Sequence, residues 1–492
     1  MSPSFAQKKY PMKNVLTFCA AMTLFSCFTY AQHSTVRLPR IEPCDCQVKI
    51  DSNFKTQCGY LIVPENRRKE SSNTIKLPFI IVKSNNPNKR KDPILYTAGG
   101  PGGSSLRWTS SLSNRVLVEN RDCIAFEQRG THFALPSLWS GELVEAIQES
   151  YRKNLPKDSM VIEGTKRYKK ALEARGIDLE GYNTDETVSD IHDLLTALKI
   201  DSVNLFGGSY SGGLMLAVLQ KAPARIRSLV LDSPLPTYVP IDEEEPANFN
   251  EALKIMFERC ERDSSDKVLY SNLFEKFQTY FTSIGGKTFT IPHYDKVTKD
   301  TLQIQYTRND LLYSIVNTMY SYRSLKKVPF MITEIIAGRH QPYVTETLNS
   351  MLQGSAPSGM RISVYCADQM AYHDEAVLQQ SYELYPQVAG FRINDVFQEM
   401  CSCWNVPPIQ AQTKQPFYSS KPALLAAGAM DPACRPLYID LIQHYLPNSQ
   451  RVLYLTRSHM VLGGKDGDRM IREFLDQPYK RVEIREKDVI GY

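Results

Sequence analysis

A serine set among small residues at a strand-to-helix junction is the strongest chemical signal in this chain. Gly207-Gly208-Ser209-Tyr210-Ser211-Gly212 follows the apolar run Val203-Asn204-Leu205-Phe206 and precedes Leu214-Met215-Leu216-Ala217-Val218-Leu219. Strand, sharp turn, helix is the setting in which G-x-S-x-G acts as a nucleophile elbow. Small residues let the chain reverse tightly and leave the Ser209 hydroxyl exposed at a helix N-terminus. Ser211 stands where the motif has its last Gly, and Gly212 follows it. That substitution predicts tighter packing behind the turn, not loss of the turn.

A serine nucleophile needs a base, and the base needs an acid to orient it. Pro422-Ala423-Leu424-Leu425-Ala426-Ala427 reads as a buried strand and runs into Gly428-Ala429-Met430-Asp431-Pro432. An acid just past a strand's carboxyl end sits where α/β sheets place their sites. A helix over Leu437 to Tyr445 and a strand over Arg451 to Thr456 follow, and that strand leads into Arg457-Ser458-His459-Met460. Ser209, Asp431 and His459 thus come in the chain order Ser, acid, His, each at a strand end. The other histidines fit less well. His33 adjoins the leader, His132 lies in a loop, and His192 and His444 lie in helical patterns. His293, His340 and His373 belong to a middle segment of different character.

Acyl transfer also needs backbone N–H groups aimed at the developing oxyanion. Ile94-Leu95-Tyr96-Thr97-Ala98 reads as a strand opening into Gly99-Gly100-Pro101-Gly102-Gly103-Ser104-Ser105. Gly100 is the candidate donor in this loop, and Tyr210, next after the nucleophile, is the second. The loop has no lysine for a P-loop, and Pro101 breaks a dinucleotide fingerprint.

Several stretches together resemble bacterial α/β-hydrolase peptidases, the tripeptidyl aminopeptidases and prolyl aminopeptidases, from about Cys58 to about Leu475. They are Cys58-Gly59-Tyr60-Leu61-Ile62-Val63-Pro64, Gly99-Gly100-Pro101-Gly102, Glu127-Gln128-Arg129-Gly130-Thr131 and the Ser209-Tyr210 pair. Arg227 to Asp232, Cys366-Ala367-Asp368, Cys401-Ser402-Cys403-Trp404 and Gly428 to Pro436 complete the set. Glu127 replaces the family's usual Asp, His132 its Gly, and Ser458 and Met460 the glycines flanking the catalytic His. Glu127 and Arg129 are expected to form an ion pair under the oxyanion loop. The resemblance implies an α/β-hydrolase fold with a helical lid, and removal of residues from the amino terminus of short peptides. It also implies a Cys366–Cys401 disulfide and one between Cys58 and either Cys44 or Cys46; Cys403 with Cys434 is a further pairing to consider.

Composition bounds the rest. The chain has 492 residues, 42% hydrophobic and 23% charged, which describes a globular protein. Net charge is +5, with Lys8, Lys9 and Lys13 at the front, and there is no basic footprint for nucleic acid. Uncharged, apolar Val15 to Ala31 behind those lysines reads as a signal peptide cleaved near Ala31. Leu24-Phe25-Ser26-Cys27 offers a lipobox alternative, with Cys27 as a lipid anchor. Export permits disulfides. The odd number of cysteines beyond the leader leaves at least one thiol. Cys44-Asp45-Cys46 and Cys401-Ser402-Cys403 lack the matched second pair or histidines of a zinc site, so no metal is expected.

Cys58 to Val63 and Thr74 to Ser84 read as a hairpin at the sheet edge. Thr184 to Leu198 reads as a helix with Thr184 as its N-cap. Strands alternate with helices until Pro234-Leu235-Pro236, the signature of a parallel sheet. The expected organisation is a signal peptide over 1–31, the α/β-hydrolase core over 32–239 and 413–492, and a mainly helical lid over 240–412. The lid opens with Asp242-Glu243-Glu244-Glu245-Pro246. Such a run is either a solvated charged stretch at a boundary or, through Glu243, Glu244 or Glu245, a partner for a substrate ammonium group. The expectation is a periplasmic or secreted serine peptidase acting on short peptides, with no cofactor and no stable protein partner. A carboxylesterase with the same triad, or a non-catalytic binding protein of the same fold, are the alternatives.

Overall fold

The computed structural model describes residues 39–111, 116–262 and 266–491. The expected leader, its cleavage position Ala31 and Cys27 lie outside them. Parallel strands are buried on both faces, so they need near-continuous apolar sequence. Ile94–Thr97 (β4), Cys123–Phe126 (β5), Val203–Gly208 (β6) and Ala423–Gly428 (β10) meet that demand, being buried at every position. With Arg40–Pro43 (β1), Thr56–Pro64 (β2), Thr74–Val82 (β3), Ile226–Asp232 (β7), Gln450–Tyr454 (β11) and Val489–Gly491 (β12) they form one sheet of order β1-β2-β3-β5-β4-β6-β7-β10-β11-β12. The run from β5 to β11 is parallel; β1, β2, β3 and β12 are antiparallel additions. β2 and β3 form the expected hairpin, but β1 lies outside β2, so the hairpin is not itself the edge.

Alternate residues feed two apolar layers. Leu95, Ile124, Leu205 and Leu425 enter one layer; Ile94, Tyr96, Phe206 and Leu424 enter the other. Among the flanking helices, Thr184–Ala197 is capped by Asn183, whose side chain accepts from the Glu186 amide at 3.0 Å. The cap is therefore one residue earlier than expected. An extended Asn is the better acceptor, and it leaves the Thr184 hydroxyl to face inward on Tyr210 at 2.7 Å.

After β7 the chain leaves the sheet and returns at β10. The intervening residues are helices and one antiparallel hairpin, Thr288–Tyr294 (β8) with Thr301–Thr307 (β9). Phe249, Phe257, Phe277, Leu311, Ile315 and Ile332 give this insert an apolar core of its own. Disulfides join Cys46 to Cys58 and, within the insert, Cys366 to Cys401. The pairing of Cys403 with Cys434 does not form; both are thiols, and Cys434 is buried elsewhere.

Candidate active site

β6 ends in Gly208, and Ser209 has φ 55° and ψ −132° before the helix Tyr210–Lys221 begins. A non-glycine residue at positive φ costs roughly 1–3 kcal/mol and persists only where its surroundings fix it. Here the Ser209 amide faces the carbonyls of Asp232 and Ser233, each at 3.1 Å, and its own carbonyl accepts from Gly212 and Leu235 at 2.9 Å. Ser211, in place of the motif's glycine, turns its hydroxyl to Thr97 at 2.5 Å. The extra atoms are thus absorbed by a hydrogen bond across to β4.

β4 is β6's neighbour, so the glycine loop that follows β4 passes directly over the elbow. A Cβ on Gly99 would lie 2.7 Å from the Gly208 carbonyl oxygen and 3.1 Å from the Ser209 Cβ, so only glycine fits. The loop closes through the Gly103 amide on the Gly99 carbonyl at 3.0 Å. It brings Gly100 and Tyr210, the two expected oxyanion donors, to the same end of the sheet as Ser209. Glu127 supports the loop from beneath, but not as an ion pair with Arg129. Its carboxylate accepts from the Ser104 hydroxyl and the Leu106 amide, each at 3.1 Å, and the Phe133 amide at 3.4 Å. Arg129 instead makes a two-pronged contact to Asp190 at 2.7 Å. Backbone amides suffice for Glu127, while Asp190 offers the planar guanidinium a bidentate partner. Burial pushes the Glu127 carboxyl up.

Asp431 and His459 meet beyond β10 and β11. Asp431 is 1% exposed; one carboxylate oxygen accepts from the Ala433 and Cys434 amides at 2.9 Å, and the other holds His459 Nδ1 at 2.7 Å. Nε2 is therefore the ring nitrogen left for proton transfer. Burial works against charge on His459, yet the Asp431 charge and hydrogen bond, with Asp232, outweigh it and raise the imidazole pKa above its ordinary value. Cys434 joins the two halves. Its buried thiol lies within 4.8 Å of both the Asp431 carboxylate and a His459 ring nitrogen, on the side of Ser209. Burial pushes that thiol well up, so it stays protonated. The Asp431 carboxylate is already satisfied by its amides and His459, so the cluster calls for no ion.

Sequence reasoning did not single out three residues that shape this site. Asp232, at the end of β7, accepts from the Val461 and Leu462 amides at 2.7 and 3.0 Å and so anchors the His459 loop; burial raises its pKa to about 6. Tyr320, from the insert helix Arg308–Tyr320, packs edge-on against His459 at 5.3 Å between ring centroids. Cys434 is the third. An acid at a strand's carboxyl end was the available signal for Asp232; the other two had none.

The acidic run is buried in large part. Glu243 meets His373 at 3.1 Å and accepts from the Asp374 amide at 2.7 Å. Glu244 meets Arg435 at 3.0 Å and Tyr438 at 2.8 Å. Glu245 accepts only from the Ile393 and Asn394 amides, at 2.9 and 2.8 Å, and Asp242 from the Asn394 side chain at 2.9 Å. Among the described residues, no Lys, Arg or His lies within ion-pair distance of Asp242 or Glu245. Burial raises both carboxyls; the Glu243 charge adds to it at Asp242, which is raised to about 6, and the Asp242 charge adds to it at Glu245, which is raised well up. Both line a cleft of about 570 Å³. Together with Arg361 and Asp431, Glu245 also acts on Tyr320, the residue that packs on His459.

Residues 92–255 match a family model described as alpha/beta hydrolase fold, and residues 386–483 one described as TAP-like protein. Tripeptidyl aminopeptidases of Streptomyces lividans and Streptomyces coelicolor are each 26% identical over 206 residues, 38% of this chain and 37% of theirs. The match thus spans little more than a third of these relatives. Among solved structures, proline iminopeptidase of Mycobacterium smegmatis is 12% identical, with 85% of this chain and 93% of that one covered and a TM-score of 0.34. MGS-M2, an alpha/beta hydrolase from a deep-sea metagenome library, is 12% identical, with 84% and 98% covered and a TM-score of 0.38. The chain has the α/β-hydrolase fold and is similar to tripeptidyl aminopeptidases.

Proposed function

We propose that this chain is an exported serine exopeptidase that cleaves short peptides near their amino terminus. Ser209 attacks the scissile carbonyl carbon while His459 Nε2 takes the hydroxyl proton. Asp431 holds the imidazole and stabilises its charge. The Gly100 and Tyr210 amides donate to the oxyanion. The C–N bond then breaks as His459 returns its proton to the leaving amine, which gives an acyl-enzyme on Ser209. Water, deprotonated by His459, attacks that ester, and collapse of the second tetrahedral species frees the acid and Ser209.

The single observation that carries the peptidase reading, as against an esterase, is the pair Asp242 and Glu245. A buried and a half-buried carboxylate that no Lys, Arg or His meets within ion-pair distance among the described residues form a place for a cation to arrive, and the free ammonium group of a peptide supplies one. Of the three glutamates expected to serve there, Glu245 keeps that role, Asp242 joins it, and Glu243 and Glu244 are engaged within the chain. The insert over 240–412 acts as the lid that carries this pair over the core. Two disulfides support an oxidising compartment.

Mass spectrometry of the products from a set of short peptides tests the reading. The expected result is fragments released from the amino end, none of them formed by Ser209→Ala. Internal cleavage, or turnover of short acyl esters alone, would replace it with an endopeptidase or an esterase.

A further inference from the structure

We propose that Arg361 is a positioning residue that ties the acidic pair to the oxyanion loop, so that occupancy of the amine site is felt where the oxyanion forms. This rests on the peptidase reading for the amine; the grip on the loop does not.

Arg361 lies on the insert helix Gly359–Asp368, with its side chain 20% exposed. Each guanidinium nitrogen has a different task. Nη1 donates to the carbonyl of Gly100 at 2.8 Å. Nε donates to Asp395 at 2.5 Å, and Nη2 donates to the side-chain oxygen of Asn394 at 3.0 Å. Asn394 in turn donates its side-chain amide to Asp242 and its backbone N–H to Glu245. An unbroken hydrogen-bonded path therefore runs from the two carboxylates through Asn394 and Arg361 to the candidate oxyanion residue.

The loop at the far end of the path needs such a grip. Gly100 has φ +122°, a conformation with no side chain to brace it, and Gly102 has φ +99°. A Cβ on Gly102 would lie 2.7 Å from the hydroxyl of Ser358, the N-cap of the same insert helix. The helix therefore packs directly on the loop, and Arg361 supplies the polar contact. Oxyanion donors work only when aimed before charge develops. A lysine cannot replace Arg361, because one ammonium cannot serve three fixed directions in a plane.

The coupling follows from charge. An ammonium group between Asp242 and Glu245 competes with Asn394 for their oxygens and changes how firmly Asn394 holds Arg361. Binding energy from the amine end, remote from the scissile bond, is then expressed in kcat as well as in KM.

Arg361→Lys tests the grip, with a short acyl ester, a free-amine peptide and its acetylated twin as substrates. We expect kcat to fall by about 10–100-fold on all three, with KM within about threefold on each, because what is lost is aim at the transition state. Unchanged kcat, or a loss confined to KM, would overturn the proposal. Thermal melting checks the fold. If Arg361→Lys does not fold, Asp395→Ala replaces it, since Asp395 is 46% exposed. At unchanged Tm it is expected to lower ester kcat by about threefold or more, through loss of one charge-assisted bond to Arg361; unchanged ester kcat would overturn the grip.

Asn394→Ala tests the coupling. Wild type is expected to show a higher kcat on the free-amine peptide than on its acetylated twin, and the variant an equal kcat on both. A wild type with equal kcat values, or a variant that keeps the difference, overturns the coupling. The ester arm separates the two readings: if free and acetylated peptides are cleaved alike in both kcat and KM, the peptidase reading fails, while Arg361's grip is judged on the ester.

Discussion

The core half of the site and the insert half are built on different physical terms. In the core, each candidate reacting group follows the carboxyl end of a sheet strand, and its position follows from the sheet. Ser209, Asp431 and His459 follow β6, β10 and β11, and the oxyanion loop follows β4, which lies beside β6. In the insert, Asp242, Glu245, Tyr320 and Arg361 come from three helices; Arg308–Tyr320 packs in the insert's own apolar core, while Met360, Ile362 and Val364 of Gly359–Asp368 pack with the sheet. Their positions depend on side-chain hydrogen bonds between distant residues, such as Asn394 to Asp242 and Arg361 to Gly100. On the proposed reading, chemistry is placed chiefly by backbone topology and substrate recognition by side-chain contacts, with Arg361 the point at which the insert bears on the core.

The largest effect that would break this division belongs to the core. Ser209→Ala should lower kcat by about 10⁴-fold or more on peptides and esters alike, and abolish labelling by a fluorophosphonate, with Tm unchanged. Asp431→Asn should come close behind, at about 10⁴-fold, because the imidazole loses its orienting acceptor. Residual activity near wild type in either variant, measured under single turnover, would move the chemistry elsewhere.

The insert half should answer differently. Glu245→Gln should raise KM for free-amine peptides by about 10–100-fold and leave esters and acetylated peptides nearly unchanged, since a lost charge pair serves binding. Glu243→Gln and Glu244→Gln should shift KM by no more than about threefold, because their partners are His373 and Arg435 within the chain. A larger effect at Glu243 or Glu244 than at Glu245 would reassign the amine site.

pH separates the halves again. His459 must be neutral to take the serine proton, and its pKa is raised, so kcat/KM on an ester should fall as pH drops through values above the ordinary imidazole value of 6.5. The acidic pair must be ionised to hold an ammonium group. Both carboxyls are raised, Glu245 well up and Asp242 to about 6, so KM for free-amine peptides alone should rise as pH falls, first as Glu245 takes a proton and then through about 6. Esters that share this second limb would argue that it belongs to the triad.

How far the sequence was legible follows the same line. The strained turn at Ser209 and the contact of Asp431 with His459 were readable because each residue falls where a local pattern, an apolar run ending in glycines or a polar turn, meets a rule of sheet topology. Asp232 had such a pattern too, yet nothing local said that its carboxylate would hold the His459 loop. In the insert, period-two alternation in Thr301-Leu302-Gln303-Ile304-Gln305-Tyr306 marked β9, but it was absorbed into a mainly helical reading. The run from Asp242 to Glu245 drew notice for its charge. Which members would find cations depended on His373 and Arg435, more than a hundred residues away, and no spacing rule reaches so far. The Glu127–Arg129 pairing failed for the same reason, since Asp190 was the better partner from another element.

The smallest expected effect is on stability. Reduction of the Cys366–Cys401 bridge, which ties together two insert helices, should destabilise the protein by about 2–4 kcal/mol. Thermal melting with and without reductant reads it.

The central claim is that a core built for acyl transfer is made selective by two insert carboxylates that await an ammonium group. The most direct measurement is kcat/KM for one short peptide with its amino terminus free and the same peptide acetylated, at a pH above 7. The account predicts a preference of about 100-fold or more for the free amine, the size of a desolvated charge pair. Equal values would contradict it.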